Sequence, residues 1–221
     1  MKQNCDEEQF LKDVEDHKME IIRDDDTTRH IRFREPGTIC YGFDLITWPG
    51  HLCITGDCGT YVFSRIHDMF SFFRMDDNDF NKRPDRKLNI NPGYWGEKLL
   101  SVGTNAGYKE FCEDSFKERV KNHFDTFWEG TENKEAKAEC WEAIEDDVLS
   151  QLADYGEAAY SAIHSFHHDT PDDCENFYFQ DFFDGGGTER YTFHYLWNLY
   201  AIAYGIVEYD KVKAAEVEAV A

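Results

Sequence analysis

Between Tyr41 and Arg74 the chain reads YGFDLITWPGHLCITGDCGTYVFSRIHDMFSFFR, and no other stretch constrains its fold as strongly. Residues 39–48 form a strand candidate, Trp48-Pro49-Gly50-His51 a turn, and Leu52–Thr55 the next strand. Proline at the second turn position followed by glycine suits a type II turn, because glycine supplies the positive φ that L side chains resist. Gly56-Asp57-Cys58-Gly59 reverses the chain again, ahead of a strand over Thr60–Ser64. From His67 to Arg74 the apolar residues Met69, Phe70, Phe72 and Phe73 switch to helical spacing. Upstream, TRHIRFR alternates His30, Arg32 and Arg34 with Ile31 and Phe33, the pattern of a half-buried strand, and Pro36-Gly37 turns the chain. These residues predict an antiparallel meander running into a helix.

The flanking segments read as mostly helical. Residues 5–23 place Phe10, Leu11, Val14 and Met19 at helical spacing, which predicts a short amphipathic helix stopped by the Asp24–Asp26 run. Residues 75–93 are polar and contain proline, as a long loop does. From Asp114 onwards Phe116, Val120, Phe124, Phe127 and Trp128 line one helix face, and Ala136, Cys140, Trp141, Ile144, Val148 and Leu149 line a second over 133–154. A third helix runs from Glu157 to about His167. Gly185-Gly186-Gly187 reads as a flexible turn before YTFHYLWNLYAIAYGIVEY. That last helix is apolar nearly all round, so it is expected at the centre of the core. It is barely long enough to span a bilayer and contains His194 and Asn198, so no membrane association is expected. The fold class is therefore α+β, a small antiparallel β-meander packed against several α-helices. The expected organisation is an acidic segment over 1–27, a single domain over 28–210 and a fraying tail over 211–221.

Charge is distributed unevenly along the 221 residues, whose formal net charge is −22. Residues 1–28 carry ten acids against four bases, residues 29–100 nine against ten, and residues 101–221 carry 26 against nine. A surface this acidic repels phosphate backbones, so direct nucleic-acid binding is not expected. It suits a basic surface on a partner, including one that normally holds nucleic acid, although acidity also serves plain solubility. The N-terminal MKQNCDEEQF lacks an apolar run, and the seven cysteines are irregularly spaced. Both point to reduced thiols in the cytoplasm.

Four groups of residues invite a chemical reading. His51, Cys53, Asp57, Cys58 and His67 are all of zinc-ligating type, but paired C-x-x-C spacing is missing, and small thiols with turn-forming Asp and Gly explain the same residues. His164, His167, His168 and Asp169, with Asp172, Asp173 and Cys174 nearby, could chelate a divalent metal from one end of a helix. The plainer account is a helix end facing solvent, and no H-E-x-x-H signature is present. Tyr191, His194 and Asn198 share a face of the last helix, and buried polar groups there require partners, of which backbone carbonyls of the sheet are the commonest. No bound cofactor is expected, with Zn as the alternative. The acidic run Glu142, Glu145, Asp146 and Asp147 is the fourth group, and its chemistry is electrostatic.

FDLITWPGHLCITGDCGTYVFSRIHDMFSFFR, INPGYWGEKL, FYFQDFF and YTFHYLWNLYAIAYGI together resemble a family of proteins of unassigned activity from phages, prophages and other mobile elements. The similarity spans most of residues 28–210 and transfers no catalytic residue. It implies an accessory-gene setting, in which anti-defence proteins are frequent. The resulting expectation is a non-enzymatic acidic binder that inhibits a host defence complex, through Glu142, Glu145, Asp146 and Asp147 together with the turn residues Trp48, His51 and Asp57. The alternative is a metal-dependent enzyme or small-molecule-binding protein built on the clustered His, Asp and Cys residues. A third arrangement is self-assembly as a homo-oligomer.

Overall fold

Alternating burial organises the largest element, a six-stranded antiparallel sheet. A computed structural model describes residues 4–74, 87–103, 107–153, 156–170 and 176–220. Its strands are β1 (Lys18–Asp25), β2 (Thr28–Arg34), β3 (Phe43–Trp48), β4 (His51–Gly56), β5 (Gly59–Ser64) and β6 (Leu99–Val102), ordered in space as in sequence. Register places Phe33 opposite Phe43, Leu45 between Ile31 and Ile54, and Ile54 opposite Tyr61. Side chains alternate across a pleated strand, so this register collects Ile31, Phe33, Phe43, Leu45, Leu52, Ile54, Tyr61 and Phe63 on one buried face. Each such side chain contributes roughly 1.5–3 kcal/mol when removed from water.

Helices cover that face. They are α1 (Glu7–Asp13), α2 (Met69–Phe73), α3 (Pro92–Gly96) and the long α7 (Phe193–Val220). The apolar circumference expected of α7 is observed, with Tyr195, Trp197, Leu199, Ala201 and Ile202 all buried. Its Gly205 is the point of closest approach, because a Cβ there would lie 2.5 Å from Leu45 Cδ1 and 3.1 Å from Phe33 Cε2. On α1, Phe10 packs edge-on against Trp197, and Asp13 Oδ2 accepts a 3.0 Å hydrogen bond from Trp197 Nε1. Among the described residues no helix is long and apolar enough to cross a membrane.

The fold class agrees with the sequence, but the organisation differs in three respects. Residues 5–23 are not one helix: α1 ends at Asp13, and Lys18–Asp25 pairs with β2 as an edge strand. Pairing of Met19 with Phe33 and Ile21 with Ile31 outweighs the helical spacing of the same apolar residues. The tail over 211–221 is helical as far as Val220, where Lys211–Glu208 and Lys213–Glu216 ion pairs and good helix formers extend α7. In place of one domain over 28–210, the chain forms two compact units, 1–109 with 191–221 and 110–190, each with its own apolar core. The two chain crossings fall in a two-stranded sheet of β7 (Lys109–Phe111) and β10 (Glu189–Tyr191).

The second unit is built on α4 (Glu113–Phe127), α5 (Lys134–Asp147) and α6 (Gly156–Ser165), with a short 3-10 turn at Leu149–Ala153. A two-residue ladder joins β8 (His167–His168) to β9 (Phe177–Tyr178). Phe116, Val120 and Phe124 of α4 meet Ala136, Cys140 and Ile144 of α5 and the rings of Phe177, Phe179 and Phe182 in its core. Asn133 starts α5 by accepting the Ala136 amide at 3.1 Å, as a side-chain N-cap should.

Candidate functional site

The acidic run lies on α5, whose buried stripe is Ala136, Cys140 and Ile144. Glu142, Glu145, Asp146 and Asp147 therefore fall on the exposed remainder of the helix. None of the four carboxylates has a side-chain partner among the described residues. Glu145, Asp146 and Asp147 also occupy the last turn, which holds no basic residue. Carboxylates are disfavoured there, since the helix C-terminus carries partial negative charge. Around them, residues 110–190 hold 22 acids against six bases, so this unit carries most of the protein's negative charge.

The turn residues separate into two roles. Trp48 and His51 close the β3–β4 hairpin as a stacked pair with ring centroids 5.0 Å apart, and Trp48 remains 38% exposed. Gly50 between them has φ +80°, as the Pro-Gly turn requires. Its amide donates to the His67 carbonyl at 2.9 Å and its carbonyl accepts from the Arg65 amide, which pins the hairpin tip. Asp57 instead serves the fold: its Oδ2 accepts the Tyr41 amide at 2.9 Å, and its own amide donates to the Gly42 carbonyl at 3.0 Å. A Cβ on Gly56 would lie 2.1 Å from that carbonyl, so glycine is required at this crossing.

Beside the hairpin, on the face of the sheet turned away from α7, Asp44 accepts from His30 Nε2 at 2.9 Å and from Arg32 Nε at 3.1 Å. Burial works against its charged form, but the Arg32 and His30 hydrogen bonds hold the carboxyl below its ordinary value. Cys53 is half-buried on the same face, whereas burial pushes the Cys58 thiol up to about 12.

The histidine group is dispersed. His164 is exposed on α6 with its ring 5.0 Å from Phe183, His168 pairs with Phe177, and His167 Nδ1 lies 3.4 Å from Asp169 Oδ1. Asp172, Asp173 and Cys174 lie outside the described residues. Among the described residues no three His, Cys, Asp or Glu side chains are placed to hold a metal ion. On α7, Asn198 is buried and its Nδ2 donates to the Cys58 carbonyl at 2.9 Å and the His194 carbonyl at 2.8 Å, while His194 itself is exposed.

One site was not anticipated. Gly185, Gly186 and Gly187 all have positive φ, of 81°, 73° and 100°, and this loop is wrapped around a guanidinium rather than loose. Arg119 donates from Nε to the Phe182 carbonyl, from Nη1 to Gly186 and from Nη2 to Asp184. Beside this loop a cleft of about 620 Å³ opens between α4 and residues 176–180. Phe177 and Phe179 point into the core, so strand alternation turns Asn176, Tyr178 and Gln180 to the cleft. Asn122, His123 and Phe127 of α4 form the facing wall. Burial and the Arg119 charge push His123 below its ordinary value, against the pull of Asp181. The half-apolar FYFQDFF alternation followed by the triple glycine was the available signal, but nothing local in the sequence couples it to Arg119.

No family model, curated protein or solved structure matches the chain.

Proposed function

We propose that the chain is a non-enzymatic phage accessory protein that inhibits a host defence complex, using the acidic face of its second unit to occupy a basic surface. The observation that carries this reading is the run of unpartnered carboxylates at the C-terminal end of α5. A helix that merely needed solubility would gain from bases there, because each acid opposes the macrodipole. Carboxylates retained against that cost supply a dense array of negative charge suited to a surface that ordinarily holds nucleic acid. Complementary charge would accelerate encounter and fix the orientation of docking, while repelling nucleic acid itself. The exposed Trp48, stacked on His51, supplies an apolar contact of the kind that anchors interfaces. The resemblance of residues 28–210 to mobile-element proteins supports the host side of the proposal and a cytoplasmic site of action.

The test is quantitative capture from host lysate with the intact chain and with a Glu142→Lys, Glu145→Lys, Asp146→Lys, Asp147→Lys variant. A partner retained by the former, lost by the latter and displaced by added duplex DNA is expected. A captured set identical for both proteins would rule out electrostatic recognition through α5.

A further inference from the structure

The cleft beside Arg119 has a chemistry that the acidic face does not use. Its volume of about 620 Å³ lies in the range of clefts that enclose small organic ligands. Asn122 and Gln180, on opposite walls, make no side-chain hydrogen bond among the described residues. Each primary amide therefore presents an adjacent donor and acceptor to the cleft. His123 is held towards its neutral form by burial and by Arg119, so its ring offers one donor and one acceptor more. Tyr178, half exposed, and Phe127 supply aromatic surface on either side. The Asn176 amide is already engaged, accepting from the Thr170 amide and donating to Asp169.

Charge narrows the class. Among the described residues of the lining the Arg119 guanidinium is the only cation, and its Nε, Nη1 and Nη2 each donate to a loop carbonyl. Glu118, the adjacent residue, adds a carboxylate to the lining, and the unit around the cleft carries 22 acids against six bases. An anionic ligand would enter against that field, towards a guanidinium that already commits three of its five N–H donors to loop carbonyls. A planar, uncharged ring with a polar edge is served on every side: primary amides pair bidentately with a heterocyclic edge, and aromatic side chains stack on its face.

We infer that this cleft binds an uncharged nucleobase or nucleoside, with Asn122 and Gln180 reading the polar edge of the base and Tyr178 stacking on it. The occupant would be a free small molecule and not a polynucleotide, whose phosphates the unit repels. This inference is independent of the docking role of α5.

Isothermal titration of the full chain with adenosine, guanosine, cytidine, uridine and thymidine tests it, with the matching 5′-monophosphates and glucose as comparators. Saturable binding of at least one nucleoside is expected, weakened about tenfold or more by Asn122→Ala and by Gln180→Glu, and weaker still for the monophosphate at low salt. Both positions are exposed, so the melting temperature of each variant should match that of the parent. The inference is overturned by any of three results: no saturable binding of any nucleoside, a monophosphate that binds as well or better, or nucleoside binding indifferent to both substitutions. Glucose binding in place of nucleoside binding would also overturn it.

Discussion

Neutralising the end of α5 should make the protein more stable. Glu145, Asp146 and Asp147 occupy the final turn, are exposed, and have no compensating base within it. A carboxylate at a helix C-terminus costs about 0.3–1 kcal/mol at low ionic strength, and exposure favours the low end of that range. Removing all three charges as Glu145→Gln, Asp146→Asn and Asp147→Asn should therefore stabilise the second unit by about 1 kcal/mol. Helix propensity changes little in these isosteric exchanges, so the gain is electrostatic. For a unit of this size it corresponds to a rise of about 4–8 °C in melting temperature. Amide hydrogen exchange in α4 and α5 reads the effect on this unit separately from the other. Two controls locate the cause. The gain should largely vanish at about 1 M salt, and Glu135→Gln in the first turn of α5, where the dipole favours an acid, should not stabilise. A triple variant that is no more stable than the parent, or a gain that survives high salt, would refute the argument.

Other outcomes follow from the packing and the buried groups. Gly205→Ala drives a Cβ to 2.5 Å from Leu45 Cδ1. Overpacking of about 1–3 kcal/mol should exceed the roughly 1 kcal/mol gain in helix propensity, and the penalty should disappear in a Leu45→Ala background when unfolding is followed by denaturant titration. Asp44 and Asp68 have carboxyls held below the ordinary 3.8 by hydrogen bonds from Arg32 and Arg29, against the opposing effect of burial. Their contribution is complete above 3.8 and lost as pH falls through the lower folded-state values, so an acid titration of stability should show the loss below 3.8 and flatten in Asp44→Asn. Burial raises the thiols of Cys5 and Cys58 to about 12 and that of Cys140 to about 11, whereas Cys40 is exposed. Alkylation of the native protein near pH 8 should modify Cys40 well before those three, as mass spectrometry would show.

The legible parts of this fold are those in which local pattern and tertiary burial agree. His30, Arg32 and Arg34 alternating with Ile31 and Phe33 mark β2 because one face of that strand meets the core and the other does not. Pro49-Gly50 marks the β3–β4 hairpin because only a residue tolerant of positive φ fits the turn. β1 was not legible, since Met19 continues the helical spacing of Phe10, Leu11 and Val14, and the segment becomes a strand only by pairing Met19 with Phe33 and Ile21 with Ile31. The boundary between the two units is equally hidden, because it separates apolar stripes that look alike one by one. At the candidate surfaces, the acids of α5 could be read directly, but their position against the helix dipole depends on α5 ending at Asp147. Asp57 looked like a free turn carboxylate and proves to be occupied by the Tyr41 amide. The cleft could not be read at all. Asn122 and Gln180 resemble any solvent-facing polar residues until the loop around Arg119 brings α4 and residues 176–180 together.

The salt dependence of affinity for the captured partner bears most directly on the proposed role. Binding constants measured across a range of salt concentrations, for the parent and for the neutralised Glu142→Gln, Glu145→Gln, Asp146→Asn, Asp147→Asn variant, separate charge from shape. The account predicts a steep fall in affinity with salt for the parent, and for the variant both weaker binding and a shallower slope, in a protein that is more stable than its parent. Equal affinities with equal slopes would contradict it.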